Sequence, residues 1–259
     1  MDLGIRGRKA IVCASSQGLG EACARALARE GVELVVNGRD AAKLEATAKS
    51  IAEESGVRVT PFVANLNEQS ERERLVAACP DADILVNNNA GPPPGNFLEM
   101  DHAKWLEALE ANLLAPAMMI RGLLSGMQER GFGRIVNITS AMVKTPVGLM
   151  ALSTTARTGL TALCKSISKG AVRHNVTINN LLPERIDTPR QEQMAQVAMK
   201  LGGITYEEAR QQQVDSIAAG RLGLPGEFAD ACAYLCSAQA GYVSGQNLQL
   251  DGGSYDGLI

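Results

Sequence analysis

Along nearly its whole length the chain alternates short apolar runs with amphipathic stretches, and this alternation narrows its fold more than any other feature. The runs are residues 9–14, 33–37, 58–63, 84–87, 134–138, 177–182 and 247–250. Most are rich in Val, Ile and Leu with little polar interleaving, as expected of strands covered on both faces. Between them, residues 18–30, 41–54, 68–78, 103–129, 153–174 and 227–237 carry helical periodicity. Strand and helix repeated in this way imply right-handed crossovers and a seven-stranded parallel sheet with helices on both faces. Apolar residues at 46% with aromatics at only 3% favour such α/β layering over a β-sandwich. No Gly/Ser linker or repeat divides residues 1–259, so a single doubly wound, Rossmann-type domain is expected.

Residues 188–222 break the rhythm: they are Gln/Met/Ala-rich, helical in propensity and interrupted at Gly202-Gly203. Inserted after the sixth strand, they fall at the carboxyl edge of the sheet, where such folds bind ligands. The segment reads as a substrate lid hinged at the glycines, with a passive surface hairpin as the alternative.

A net charge of −3 gives no electrostatic reason to expect nucleic acid or an anionic membrane as partner. No apolar run approaches the roughly 20 residues of a membrane span, and no leader pattern is expected at the start. The scattered cysteines, Cys13, Cys23, Cys79, Cys164, Cys232 and Cys236, read as reduced core residues of a cytoplasmic protein. Cys232 and Cys236 share a helix face, but His102 and His174 are far from them in sequence, so no metal site is expected.

The run Cys13-Ala-Ser-Ser-Gln-Gly-Leu-Gly20 follows the first strand and opens the first helix. In that setting Ala14, Ser16, Gln17, Gly18, Leu19 and Gly20 form a turn whose backbone N–H groups and helix N-terminus face a dinucleotide diphosphate. Gly18 permits close approach and Gly20 tight helix–strand packing. After the second strand comes Asn37-Gly-Arg39, where an NAD site would carry a carboxylate for the ribose 2′-hydroxyl. Gly38 supplies none, and Arg39 offers a planar cation suited to a 2′-phosphate. NADP(H) is therefore expected over NAD(H).

Further motifs are Asn65-Leu66, Asp83-Ile-Leu-Val-Asn-Asn-Asn-Ala-Gly91, Gly133-Arg-Ile-Val-Asn-Ile-Thr-Ser140, Ala151-Leu-Ser-Thr-Thr-Ala-Arg-Thr-Gly-Leu160 and Val176-Thr-Ile-Asn-Asn-Leu-Leu-Pro183. Together with the Gly-rich turn they resemble the short-chain dehydrogenase/reductase family, nearest its reductases of 3-oxoacyl chains and sugars. The resemblance runs from Lys9 to Leu250-Asp-Gly-Gly253 and implies strand order 3-2-1-4-5-6-7, a small-molecule substrate and a homotetramer. Two apolar helices, residues 103–129 and 153–174, point to the same assembly.

The resemblance also distributes roles. Ala14 takes the place of the family's first glycine, Asn65 that of an acid that binds the adenine amino group, and Leu66 follows it. The family's Asn-Asn-Ala-Gly falls on Asn88, Asn89, Ala90 and Gly91, or one residue earlier if counted from Asp83. Pro183, Ile186 and Thr188 match the loop that wraps the nicotinamide carboxamide, with Glu184 where the family has glycine. Ser140 matches the serine that orients the substrate oxygen and Asn112 the asparagine that carries a water to the lysine. The tyrosine and lysine themselves are absent: thirteen residues after Ser140 stands Ser153, and four later Arg157. A serine hydroxyl is too weak an acid to replace a phenol near neutral pH. Arg157 keeps a charge that could bind ribose but cannot relay a proton. Glu184, Lys144 and Tyr206 are the alternative acid/base candidates, and Glu184 could instead pair with Arg157 or Arg185 or point outward. Three readings follow: an NADP(H)-dependent oxidoreductase with an altered proton donor, an NADP(H)-binding protein without catalysis, or a non-redox enzyme.

Overall fold

The computed structural model describes residues 2–258; Met1 and Ile259 lie outside the described residues. Seven parallel strands, β1 (Lys9–Val12), β2 (Glu33–Gly38), β3 (Val59–Val63), β4 (Ile84–Asn87), β5 (Gly133–Ile138), β6 (Val176–Pro183) and β7 (Asn247–Leu250), form one sheet in the order β3-β2-β1-β4-β5-β6-β7. The order reverses between β1 and β4, and this switch point opens a crevice at the carboxyl ends of those strands.

Alternate strand residues feed two cores. Ala10 and Val12 of β1, with Val36 and Val86, pack under α1 (Gly18–Arg29), α2 (Ala41–Ser55) and α9 (Pro225–Cys236). Ile11, Leu85 and Ile135 face the other way, toward α3 (Gln69–Ala78), α5 (Ala115–Glu129) and α6 (Ala151–Ala171). Burying each such aliphatic side chain contributes roughly 1.5–3 kcal/mol, so the central strands carry the sheet. The edges depart from the expected double burial: β3 and β7 expose several residues, and β3 carries Pro61, which cannot donate to a ladder and suits an edge.

The helix expected over residues 103–129 is divided. It runs as α4 (His102–Leu109), a π turn (Glu110–Leu114) and then α5. Pro116 is the physical reason: it has no N–H for the Asn112 carbonyl and its ring crowds that carbonyl, so the chain widens by one residue. The widened turn carries Asn112. Residues 188–222 form a helical hairpin, α7 (Pro189–Gly202) and α8 (Tyr206–Asp215), broken where Gly203 takes φ 63°.

Candidate active site at the carboxyl edge of the sheet

The turn after β1 is held by its neighbours. Asn37 accepts from the Ala14 and Ser15 amides at 3.3 and 2.7 Å through its side chain and its carbonyl respectively. Asn88 donates to the Ala14 carbonyl at 3.2 Å. Ala14 adopts φ 44°, a conformation that favours glycine, and Gly18 adopts φ 62°. The residue that replaces the family's glycine is therefore strained, and the turn keeps its shape regardless. A Cβ on Gly20 would collide with the Ala14 carbonyl oxygen, so that position accepts only glycine. Leu19 packs against the core beneath α1. The resulting cradle of amides at the start of α1 fits a diphosphate.

At the end of β2, a Cβ on Gly38 would lie 3.2 Å from the Ser16 side chain, which brings β2 against the turn. Arg39 is exposed beside it. The ammonium of Lys43 in α2 donates to Gln17, and Thr47 donates to the Ser16 carbonyl at 3.1 Å. Sequence reasoning missed Lys43 because a lysine early in a helix usually reads as solvated. Asn65 caps its own loop, accepting from the Asn67 amide at 3.2 Å, and Leu66 is buried beneath it.

The asparagines of the run differ in environment. Asn87 ends β4 and donates to Asn137 of β5 at 2.9 Å, inside the sheet. Asn88 supports the Gly-rich turn, and Asn89 donates to Asn67 and to the Ala111 carbonyl, both at 3.1 Å. The loop beyond, Pro92-Pro-Pro-Gly95, is stitched to the segment before α6 by the Gly95 amide and the Leu149 carbonyl, 2.8 Å apart.

Ser140 lies two residues past β5, and its hydroxyl accepts from the Met142 amide at 3.2 Å. Ser153 and Arg157 lie one turn apart on α6, Ser153 buried and Arg157 partly exposed. Asn112 donates to the Ala90 carbonyl at 3.3 Å. Asn87, Asn88, Asn89, Asn112 and Arg157 line a cavity of about 20 Å³, large enough for one water among polar partners. Burial and the charge of Arg190 bring the Arg157 pKa down to about 10, which leaves the guanidinium charged at neutral pH.

Thr188 comes back across the crevice: a Cβ on Gly18 would lie 3.9 Å from its Cβ. Its hydroxyl donates to the Ile186 carbonyl at 3.2 Å, and Ile186 is buried. Glu184 turns away from Arg157. It sits 3.6 Å from Arg185 and lines a separate cleft of about 270 Å³ with Gln249 and Asp251. Burial raises its pKa, opposed by Arg185 and assisted by Asp251. Arg185, at φ 50°, ties this loop to the hairpin through Ser216 and Gln191.

Of the alternative acid/base candidates, Tyr206 opens α8 at the distal end of the hairpin, about 20 Å along α7 from Thr188. Lys144 follows Ser140 in the β5–α6 loop and lies 5.1 Å from the centre of the Tyr255 ring. Tyr255 follows Asp251-Gly-Gly253 in a stretch without periodicity, so the sequence carries no signal of its place. The six cysteines are free and buried, and no cluster of three metal-ligating side chains occurs among the described residues. No helix there is long and apolar enough to cross a membrane.

Residues 13–255 match the family model described as Enoyl-(Acyl carrier protein) reductase. The chain is 33% identical over 253 residues to nodulation protein G of Rhizobium sp. (strain N33), covering 96% of this chain and 97% of that protein. It is 31% identical over 260 residues to the 3-oxoacyl-(acyl-carrier-protein) reductase of Aquifex aeolicus (strain VF5), covering 98% of this chain and 100% of that one. Among solved structures, L-sorbose reductase from Gluconobacter frateurii, complexed with NADPH and L-sorbose, superposes with a TM-score of 0.95 at 29% identity over the full length of both chains. With its seven-stranded sheet, its β1–β4 crevice and these relatives, the chain belongs to the short-chain dehydrogenase/reductase family of oxidoreductases.

Proposed function

We propose that this protein is an NADP(H)-dependent oxidoreductase of a small carbonyl compound or secondary alcohol, with a proton donor other than the family tyrosine. The observation that carries this reading is the convergence on one crevice of the Gly-rich turn, the Thr188 loop, Asn112 and Arg157. Four of the similar solved structures are described as NADPH complexes or NADPH-dependent reductases.

In this reading the Ala14–Gly20 amides, with Ser16, Gln17 and Leu19, cradle the diphosphate, and Arg39 and Lys43 take the 2′-phosphate. Asn65 and Leu66 bound the adenine, while Asn88, Asn89 and Ala90 floor the pocket. Pro183, Ile186 and Thr188 border the nicotinamide. When bound, the cofactor supplies or accepts a hydride. Ser140 orients the substrate oxygen, and the Arg157 charge holds the ribose and steadies negative charge growing on that oxygen. Asn112 and the small cavity supply a water to Arg157. Lys144, four residues past Ser140 and beside Tyr255, is the candidate for a weaker, less well positioned proton donor than the family phenol. The α7–α8 hairpin closes over the site as a lid. The second reading, dinucleotide binding without hydride transfer, is favoured by one observation: Ser153, a buried hydroxyl, occupies the phenol's position.

The working form is proposed to be a cytoplasmic homotetramer. Leu106, Leu114 and Met118, exposed on α4, the π turn and α5, give it an apolar face to bury. Sedimentation of a monomer at micromolar concentration contradicts the assembly.

Cofactor choice is tested by titration. A charge-assisted phosphate contact is worth roughly 1.5–3 kcal/mol, so Arg39→Ala should weaken NADPH by about ten- to a hundredfold and leave NADH nearly unchanged. Lys43→Ala should act in the same direction. Equal losses for both cofactors would refute the assignment of these residues to the 2′-phosphate.

A further inference from the structure

Two guanidinium groups come together at the substrate end of the crevice, and among the described residues no carboxylate pairs with either. Arg157, from α6, lies over Gly91, whose added Cβ would stand 3.3 Å from its Nη2. Arg190, the second residue of α7, reaches the neighbouring residue and donates to the Pro92 carbonyl at 3.2 Å. Arg190 is close enough for its charge to disfavour that of Arg157, and burial disfavours both. The Nε of Arg157 is buried without a hydrogen-bond partner. The acids around them are engaged elsewhere: Asp187 with Arg210 at 2.6 Å, Glu184 with Arg185 at 3.6 Å, and Glu110 with Arg72 at 2.6 Å. Like charges held together and partly withdrawn from water cost free energy that a bound anion recovers.

Two sources of anion exist, the cofactor and the substrate. The amide cradle that fits a diphosphate lies at Ala14–Gly20, after β1. The arginine pair lies over Gly91 and Pro92, after β4 and on the side of the crevice occupied by α6 and α7. The nicotinamide end of the cofactor brings no negative charge of its own to that place. A planar carboxylate matches the fork of a guanidinium.

We propose that Arg190, assisted by the charge of Arg157 beside it, seats a carboxylate of the substrate, so that the substrate is an oxo acid or its hydroxy acid rather than a neutral ketone or sugar. The inference rests on the oxidoreductase reading above. In the reducing direction the C=O π bond breaks, hydride forms the new C–H bond, a proton forms the O–H bond and the cofactor is oxidised. The carboxylate takes no part in the bond changes and only fixes the distance of the carbonyl from Ser140.

The test is calorimetric binding of oxo acids of three to eight carbons, each paired with its neutral methyl ester, to the full chain with and without NADPH. At least one acid should bind about tenfold or more tightly than its ester. Arg190→Met should abolish that preference, Arg190→Lys should keep part of it, and NADPH affinity should stay within about twofold in both. Equal binding of acid and ester across the whole panel overturns the proposal. A loss of NADPH affinity of about tenfold or more in Arg190→Met also overturns it, because the seated anion is then the cofactor's diphosphate. If the unmodified protein binds no NADPH, the oxidoreductase reading fails instead, and the acid–ester comparison on the free protein still decides whether the seat exists.

Discussion

Joint replacement of Ser153→Tyr and Arg157→Lys is expected to raise ketone or oxo-acid reduction by about 10²–10⁴-fold, the usual worth of a positioned proton donor. The two positions lie one turn apart on α6, and Arg157 already borders Asn112 and the small polar cavity. A lysine there would find the asparagine and a water site beside it. Each single change should gain far less. The tyrosine needs a neighbouring cation to ionise readily, and the lysine alone has no phenol to act on. Glu184 is no obstacle, since it pairs with Arg185 and faces the other cleft, so adding Glu184→Gly should change the gain little. Initial rates of NADPH oxidation over the same substrate panel measure the effect. A double variant that binds NADPH yet reduces nothing shows that the rest of the site is no longer suited to hydride transfer.

Gly20→Ala is the second large effect. Its Cβ would meet the Ala14 carbonyl, a backbone atom that also receives Asn88 and cannot rotate away. The turn must open, which separates α1 from β1 and spoils the amide cradle. Dinucleotide affinity should fall by about a hundredfold or more, equivalent to roughly 3 kcal/mol. NADPH and NADH should suffer alike, which separates this change from Arg39→Ala. Ala14→Gly probes the same turn in the opposite direction. It relieves a left-handed alanine worth roughly 1–2 kcal/mol and gives back about 0.4–1 kcal/mol of unfolded-chain entropy, a net gain of about 0.5–1 kcal/mol read in the denaturation midpoint. Undiminished cofactor binding by Gly20→Ala would show that no diphosphate sits in this turn.

The sheet was legible because buried parallel strands leave almost unbroken apolar runs, and the run lengths matched the strands closely. What escaped has local causes. The π turn at Glu110–Leu114 is a slip of hydrogen bonding prompted by Pro116 in a segment whose composition stays helical throughout. The strain at Ala14 is a backbone property, visible only as the missing glycine of a family pattern. The direction of Glu184 depends on its chain neighbour Arg185 and on Asp251, which β7 brings beside it. Arg190 falls within the helical segment 188–222, and nothing in its sequence neighbours shows that it reaches Pro92, ninety-eight residues away. Ser153 and Arg157, by contrast, were fixed by counting from Ser140, and the structure sets them on the one helix where counting put them.

Hydride transfer itself tests the central claim most directly. NADPH deuterated at C4 of its nicotinamide, incubated with the protein and the panel of oxo acids and ketones, should deliver deuterium to the carbinol carbon of at least one product, detected by mass spectrometry. Tight NADPH binding with no deuterium transferred to any carbonyl compound would contradict the oxidoreductase reading and leave a dinucleotide-binding protein on an enzyme's fold.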